Sequence, residues 1–111
     1  MTRDELTGRL LAMPESIQLA ECSVLQRDAD LRMAKDRMED AEVELTLNGQ
    51  LDGKNAETRK AQLHRLTGDQ RGAIMAAEQE LDIAKICLRR RQNEFSALRA
   101  IARAIDGEET P

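Results

Sequence analysis

Two heptad series run through most of this chain and leave little room for any fold other than paired long helices. Alternate steps of four and three residues from Leu6 meet Leu6, Leu10, Met13, Ile17, Ala20, Val24, Arg27, Leu31, Ala34, Met38, Ala41 and Leu45, with Arg27 the one polar residue. The same stepping in the second half meets Gln70, Ile74, Ala77, Leu81, Ala84, Leu88, Arg91, Phe95, Leu98, Ala102 and Ile105. Apolar side chains at this spacing lie along one side of a helix and scatter over both faces of a strand, so each series predicts a helix with a coiled-coil seam. The fold class expected is all-α: a long antiparallel two-helix hairpin, with a short connecting helix and a short N-terminal helical segment, assembling into a helical bundle.

Local signals place the ends. Thr2 and Glu5 have capping-box spacing, Pro14 suits a helical first turn or a kink, and Asn48-Gly49 is a stop. This predicts a long helix over 14–47, a turn over 48–55, a short helix over 56–67, a second long helix over 69–106 and a frayed tail over 107–111, all in one domain. Thr67 and Gln70 again have capping-box spacing, which predicts a break or bend between the last two helices.

The two seams match when run antiparallel. One register sets Leu45 against Ile74, Met38 against Leu81, Ala34 against Ala84, Leu31 against Leu88, Val24 against Phe95, Ile17 against Ala102 and Met13 against Ile105. That register is preferred because it gathers Arg27 and Arg91 into a single polar layer, whereas shifts of seven residues separate them into two. The chain has one aromatic residue, Phe95, so its core is built from aliphatic side chains and is thin. A thin core along narrow helices points to a homo-oligomer that covers more of this surface.

Charge divides between the arms. Residues 14–47 hold nine acids and four bases, and residues 54–103 hold eleven bases and six acids, in a chain whose net charge is −4. Lys85, Arg89, Arg90, Arg99 and Arg103 are the candidate contact residues for nucleic acid or an acidic partner, because cations one turn apart track a row of phosphates or carboxylates. Complementarity to the acidic first helix, of the same or another subunit, is the simpler reading. The net negative charge and the want of aromatic stacking platforms weigh against a surface devoted to nucleic acid.

No motif carries catalysis. Gly49, Gly53, Lys54 and Asn55 outline a turn whose glycines are one residue too close for a phosphate-binding loop, and Asn55 stands where that loop needs a hydroxyl. His64 is the only histidine, and Cys22 and Cys87 form no CxxC pair. Glu39, Asp40, Glu42 and Glu44 lack the Glu-x-x-His partners of a di-metal bundle site and read as a solvated face. The expectation is a protein without enzymatic activity, cofactor or metal. With no leader and no apolar run of membrane-spanning length, it is expected in the cytoplasm and away from membranes.

The stretch from Asn48 to Leu63, with its Gly53-Lys54-Asn55 turn and Arg59 following, precedes a long Ala- and Glu-rich helix carrying Leu81, Leu88 and Leu98. In this the chain resembles small helical-hairpin accessory proteins of tailed bacteriophages and prophages. The resemblance covers about half the chain and brings no catalytic residues with it. It implies a phage accessory factor near replication or recombination, bound to a phage or host protein in the bacterial cytoplasm. It also implies Asn55 as cap of the short helix, with Arg59 and Lys60 exposed on its first turns. Small secreted hairpins of the WXG type have a Trp-x-Gly turn, where this chain has Leu47-Asn48-Gly49 and no tryptophan.

From the residues alone, then, the function expected is a coiled-coil assembly or adaptor protein. Its seam runs through Ile17, Val24, Arg27, Leu31, Ala34, Met38, Leu45, Ile74, Leu81, Ala84, Leu88, Arg91, Phe95 and Leu98. The second reading is a nucleic-acid accessory protein using the basic face of the last helix.

Overall fold

A computed structural model describes residues 1–109. Those residues form three helices and no strand: α1 over Arg3–Leu47, α2 over Ala56–Leu66 and α3 over Gly68–Glu109. The fold is all-α, with α1 and α3 packed as an antiparallel hairpin. Every apolar member of both heptad series is buried or half-buried, while Arg27 and Arg91 are exposed.

At the start of α1 the capping box forms. Glu5 N–H donates to Thr2 Oγ1 at 3.1 Å, and Thr2 N–H donates to Glu5 Oε2 at 3.2 Å, so two donors that the first turn leaves unpaired are satisfied reciprocally. The helix then continues through Pro14, in place of the expected short segment followed by a helix from residue 14. Proline has no N–H for the carbonyl of Leu10, a loss on the order of 3 kcal/mol in a helix interior. Burial of Leu6 and Met13 on the same face offsets it, because both are taken out of water only if the helix stays continuous across Pro14.

The end of α1 follows from Gly49. Its φ of +69° places it in the left-handed region, its N–H donates to Thr46 O at 3.3 Å, and Gln50 N–H donates to Leu45 O at 3.2 Å. These two bonds are the Schellman closure that satisfies the last carbonyls of a helix. Asn55 caps α2, its Oδ1 accepting from Thr58 N–H at 2.8 Å. The capping box expected at Thr67 and Gln70 does not form. Thr67 N–H is already engaged by Leu63 O at 3.1 Å, and Arg71 N–H donates to Thr67 O at 3.1 Å, so the helical ladder passes from α2 into α3 with one residue interrupting it. The last helix extends to Glu109, beyond the expected end at 106; of the expected tail, residues 110 and 111 lie outside the described residues.

By packing, the chain divides into two units, Met1–Leu25 with Asp82–Pro111, and Gln26–Leu81. In the first, Leu6, Met13 and Leu98 form a buried cluster against which Leu10, Ile17, Phe95, Ala102 and Ile105 pack. Arg9 is ion-paired to Glu94 at 3.0 Å. In the second, Met38 lies beside Thr67 and Arg71, and Ala41 and Leu45 lie beside Leu66 and Gln70.

These neighbours correct the expected register. With Met13 opposite Ile105, Leu6 would project past the end of α3 and Arg9 would lie several turns from Glu94; with Met38 opposite Leu81, Thr67 would be remote from it. The helices are instead slid by about three turns, which lets α3 cover Leu6, 4% exposed. The expected register rests on a polar layer for two arginines. No such layer is needed, because Arg27 and Arg91 extend to the surface and bind acids three residues on in their own helices, Asp30 at 3.3 Å and Glu94 at 3.6 Å.

Candidate interaction surface

The basic face belongs to the first unit. From Ile83 to Ile105, α3 contains six cations and one acid, Glu94, and that acid is held by Arg9 and Arg91. Lys85, Arg89, Arg90, Arg99 and Arg103 are exposed and make no ion pair among the described residues. Arg99 lies over the Phe95 ring, 5.6 Å from its centroid, a cation–π contact that keeps the guanidinium close to the helix. Complementarity between these five cations and the acidic helix of the same chain is therefore not realised as ion pairs. They remain available to another molecule.

The acidic face lies on α1 in the second unit. Asp36, Glu39, Asp40 and Glu44 are exposed and make no ion pair among the described residues, whereas Asp28 binds Arg32 at 2.6 Å. Glu39, Glu42 and Glu44 lie off the seam, as their spacing requires. Among the described residues no group of three or more His, Cys, Asp or Glu side chains gathers in a metal-binding arrangement.

The connection is a hydrogen-bonded clasp. Gly53 N–H donates to Gln62 Oε1 at 2.9 Å, Arg59 Nη1 donates to Gly53 O at 3.2 Å, and the Gln62 amide donates to Asp52. The clasp explains Gly53, since a Cβ there would stand 2.7 Å from Thr58 Cγ2 and 2.9 Å from Arg59 N. Lys54 is exposed, as are Arg59 and Lys60. Beside the clasp, Val43, Thr46 and Leu47 of α1 and Leu63 of α2 line an open, mainly apolar groove.

His64 lies at the edge of a second depression with Lys60 and Arg71. Cys22 and Cys87 are free thiols on exposed positions. None of the three has a hydrogen-bond or ion-pair partner that would activate it among the described residues.

One set of residues escaped sequence reasoning. Leu11, Leu19, Leu25, Met33, Val43 and Leu47 of α1, and Met75, Ile83, Ile86 and Ile101 of α3, are between 41% and 80% exposed. Single exposed leucines are ordinary, but ten large apolar side chains on two helices are a surface of a different kind. Their signal was present in the sequence as large apolar residues off the seam, six along α1 and four along α3, at irregular intervals. The stronger seam masked it.

Among the described residues no helix is long and apolar enough to cross a membrane. No family model matches the chain, and no curated protein or solved structure is significantly similar to it.

Proposed function

We propose that this chain is a non-enzymatic assembly or adaptor protein that self-associates through the outward faces of its long helices and offers the 48–67 connection to a protein partner. The observation that carries the reading is the set of exposed large apolar side chains on α1 and α3. Burying such a side chain contributes ~1.5–3 kcal/mol, and a second set of helices is the natural cover for a stripe at helical spacing. The resemblance to phage accessory hairpins supports a partner among phage or host proteins, in the bacterial cytoplasm. Light scattering across a concentration series tests the reading. A mass that rises to a discrete multiple of the chain is expected; a monomer at every concentration overturns it.

A second reading is supported by Lys85, Arg89, Arg99 and Arg103, four cations without an ion pair among the described residues along one face of α3, where Gln92 and Ser96 stand between them and no acid interrupts, with Arg90 on the adjoining face. This suits a phosphate backbone. Titration with a mixed-sequence DNA oligonucleotide separates the two: binding lost when Arg89, Arg99 and Arg103 become alanine supports nucleic acid, and no binding at low salt removes it.

A further inference from the structure

The outward stripes of α1 and α3 are complementary in spacing and charge, and we infer that they pack on each other between two copies of this chain, α1 of one antiparallel to α3 of the next. This rests on the self-association proposed above and specifies its surfaces and register.

On α1 the exposed stripe steps through Met33, Asp36, Asp40, Val43 and Leu47, intervals of three and four residues. On α3, read backwards, it steps through Ala97, Asn93, Arg90, Ile86 and Ile83, with the intervals in the opposite order. Laid antiparallel, the two interlock without a skip. Val43 meets Ile86 and Leu47 meets Ile83, so three exposed β-branched side chains and a leucine cover one another. Asp40 meets Arg90, and neither makes an ion pair among the described residues of its own chain. Asp36 meets the amide of Asn93, Met33 meets Ala97, and one turn further Ala29 falls opposite Ile101.

Sliding the pair by one heptad in the direction that sets Val43 against Asn93 sets Leu47 against Arg90 and Asp40 against Ala97, which breaks the apolar layers and the ion pair. The other direction sets Asp40 against Ile83. The proposed register is the one that keeps apolar with apolar and acid with base, the same selection that fixes partner and register in coiled coils. Leu11 and Leu19 lie outside the overlap and remain open.

The test is intermolecular cross-linking with the full chain, Cys22 and Cys87 replaced by serine. Chains carrying Val43→Cys are mixed with chains carrying Ile86→Cys and oxidised at a concentration where the mass exceeds one chain. A disulfide-linked two-chain product that appears in the mixture, and is weak in either variant alone, is expected. Val43→Glu should raise the concentration needed for association by about tenfold or more, whereas Leu19→Glu should leave it unchanged. Asp40→Arg and Arg90→Asp should each weaken association and restore it when mixed.

An oligomer that forms without the mixed cross-link, or that Leu19→Glu disrupts and Val43→Glu does not, overturns this register and leaves self-association standing. A monomer throughout overturns both. DNA binding abolished by Arg90→Asp, with no change in mass, also overturns the pairing.

Discussion

Individual residues in the connection are held by geometry that allows few substitutes. Gly49 has a left-handed φ, and alanine there should cost ~1 kcal/mol, since a Cβ is strained in that region. Gly53→Ala should cost more, ~1–3 kcal/mol, because its Cβ meets Thr58 and the Arg59 backbone, which the clasp prevents from moving. Asn55→Ala removes the acceptor for Thr58 N–H and should cost ~0.5–2 kcal/mol. Gly72 has the opposite sign: it lies within α3, nothing stands within 4 Å of an added Cβ, and Gly72→Ala should stabilise by ~0.5–1 kcal/mol. Urea unfolding midpoints at constant m-value rank all four. The Asn55 cap was an implication of the resemblance, and the turn at Asn48-Gly49 was legible from residue type, because Asn and Gly end helices for local reasons. The clasp was not, since Gln62, Asp52 and Gly53 meet only after the turn has folded.

The long helices were legible as elements, and their mutual register was not. Heptad spacing identifies which side of a helix is buried, and every apolar seam position lies out of full exposure. A seven-residue repeat nevertheless fits a partner in several slides, and the choice among them depends on which ends are left uncovered. Arg27 and Arg91 do not decide the slide, because long side chains at the edge of a two-helix seam reach water at little cost and need no shared layer. The observed slide makes a prediction in the first unit. Leu98, 3% exposed in the cluster with Leu6 and Met13, should lose ~2–5 kcal/mol on truncation to alanine, and Leu6→Ala should lose an amount in the same range despite lying near the start of α1. Thermal or urea unfolding checks this. A negligible effect of Leu6→Ala would mean that α3 does not reach it.

At the scale of the whole molecule, salt distinguishes a protein assembled by its apolar stripes from one that holds a polyanion with its basic face. Raising salt from ~0.1 to ~1 M shortens the screening length from about 10 to about 3 Å, which weakens contacts between exposed charges. Assembly through residues such as Val43, Leu47, Ile83 and Ile86 retains its main driving force under those conditions, because burial of apolar area does not depend on counterions. The pairing of Asp40 with Arg90 contributes only ~0.2–1 kcal/mol as an exposed pair, so its screening should change the association constant by no more than severalfold. A DNA complex held by Lys85, Arg89, Arg90, Arg99 and Arg103 behaves otherwise. Five phosphate contacts release counterions with a slope near −0.9 each, so the same tenfold rise in salt should weaken binding by roughly 10⁴ to 10⁵. The association constant measured by light scattering or sedimentation at both salt concentrations is expected to fall by the smaller factor; a collapse of several orders of magnitude would assign the assembly to its charges and not to its apolar faces.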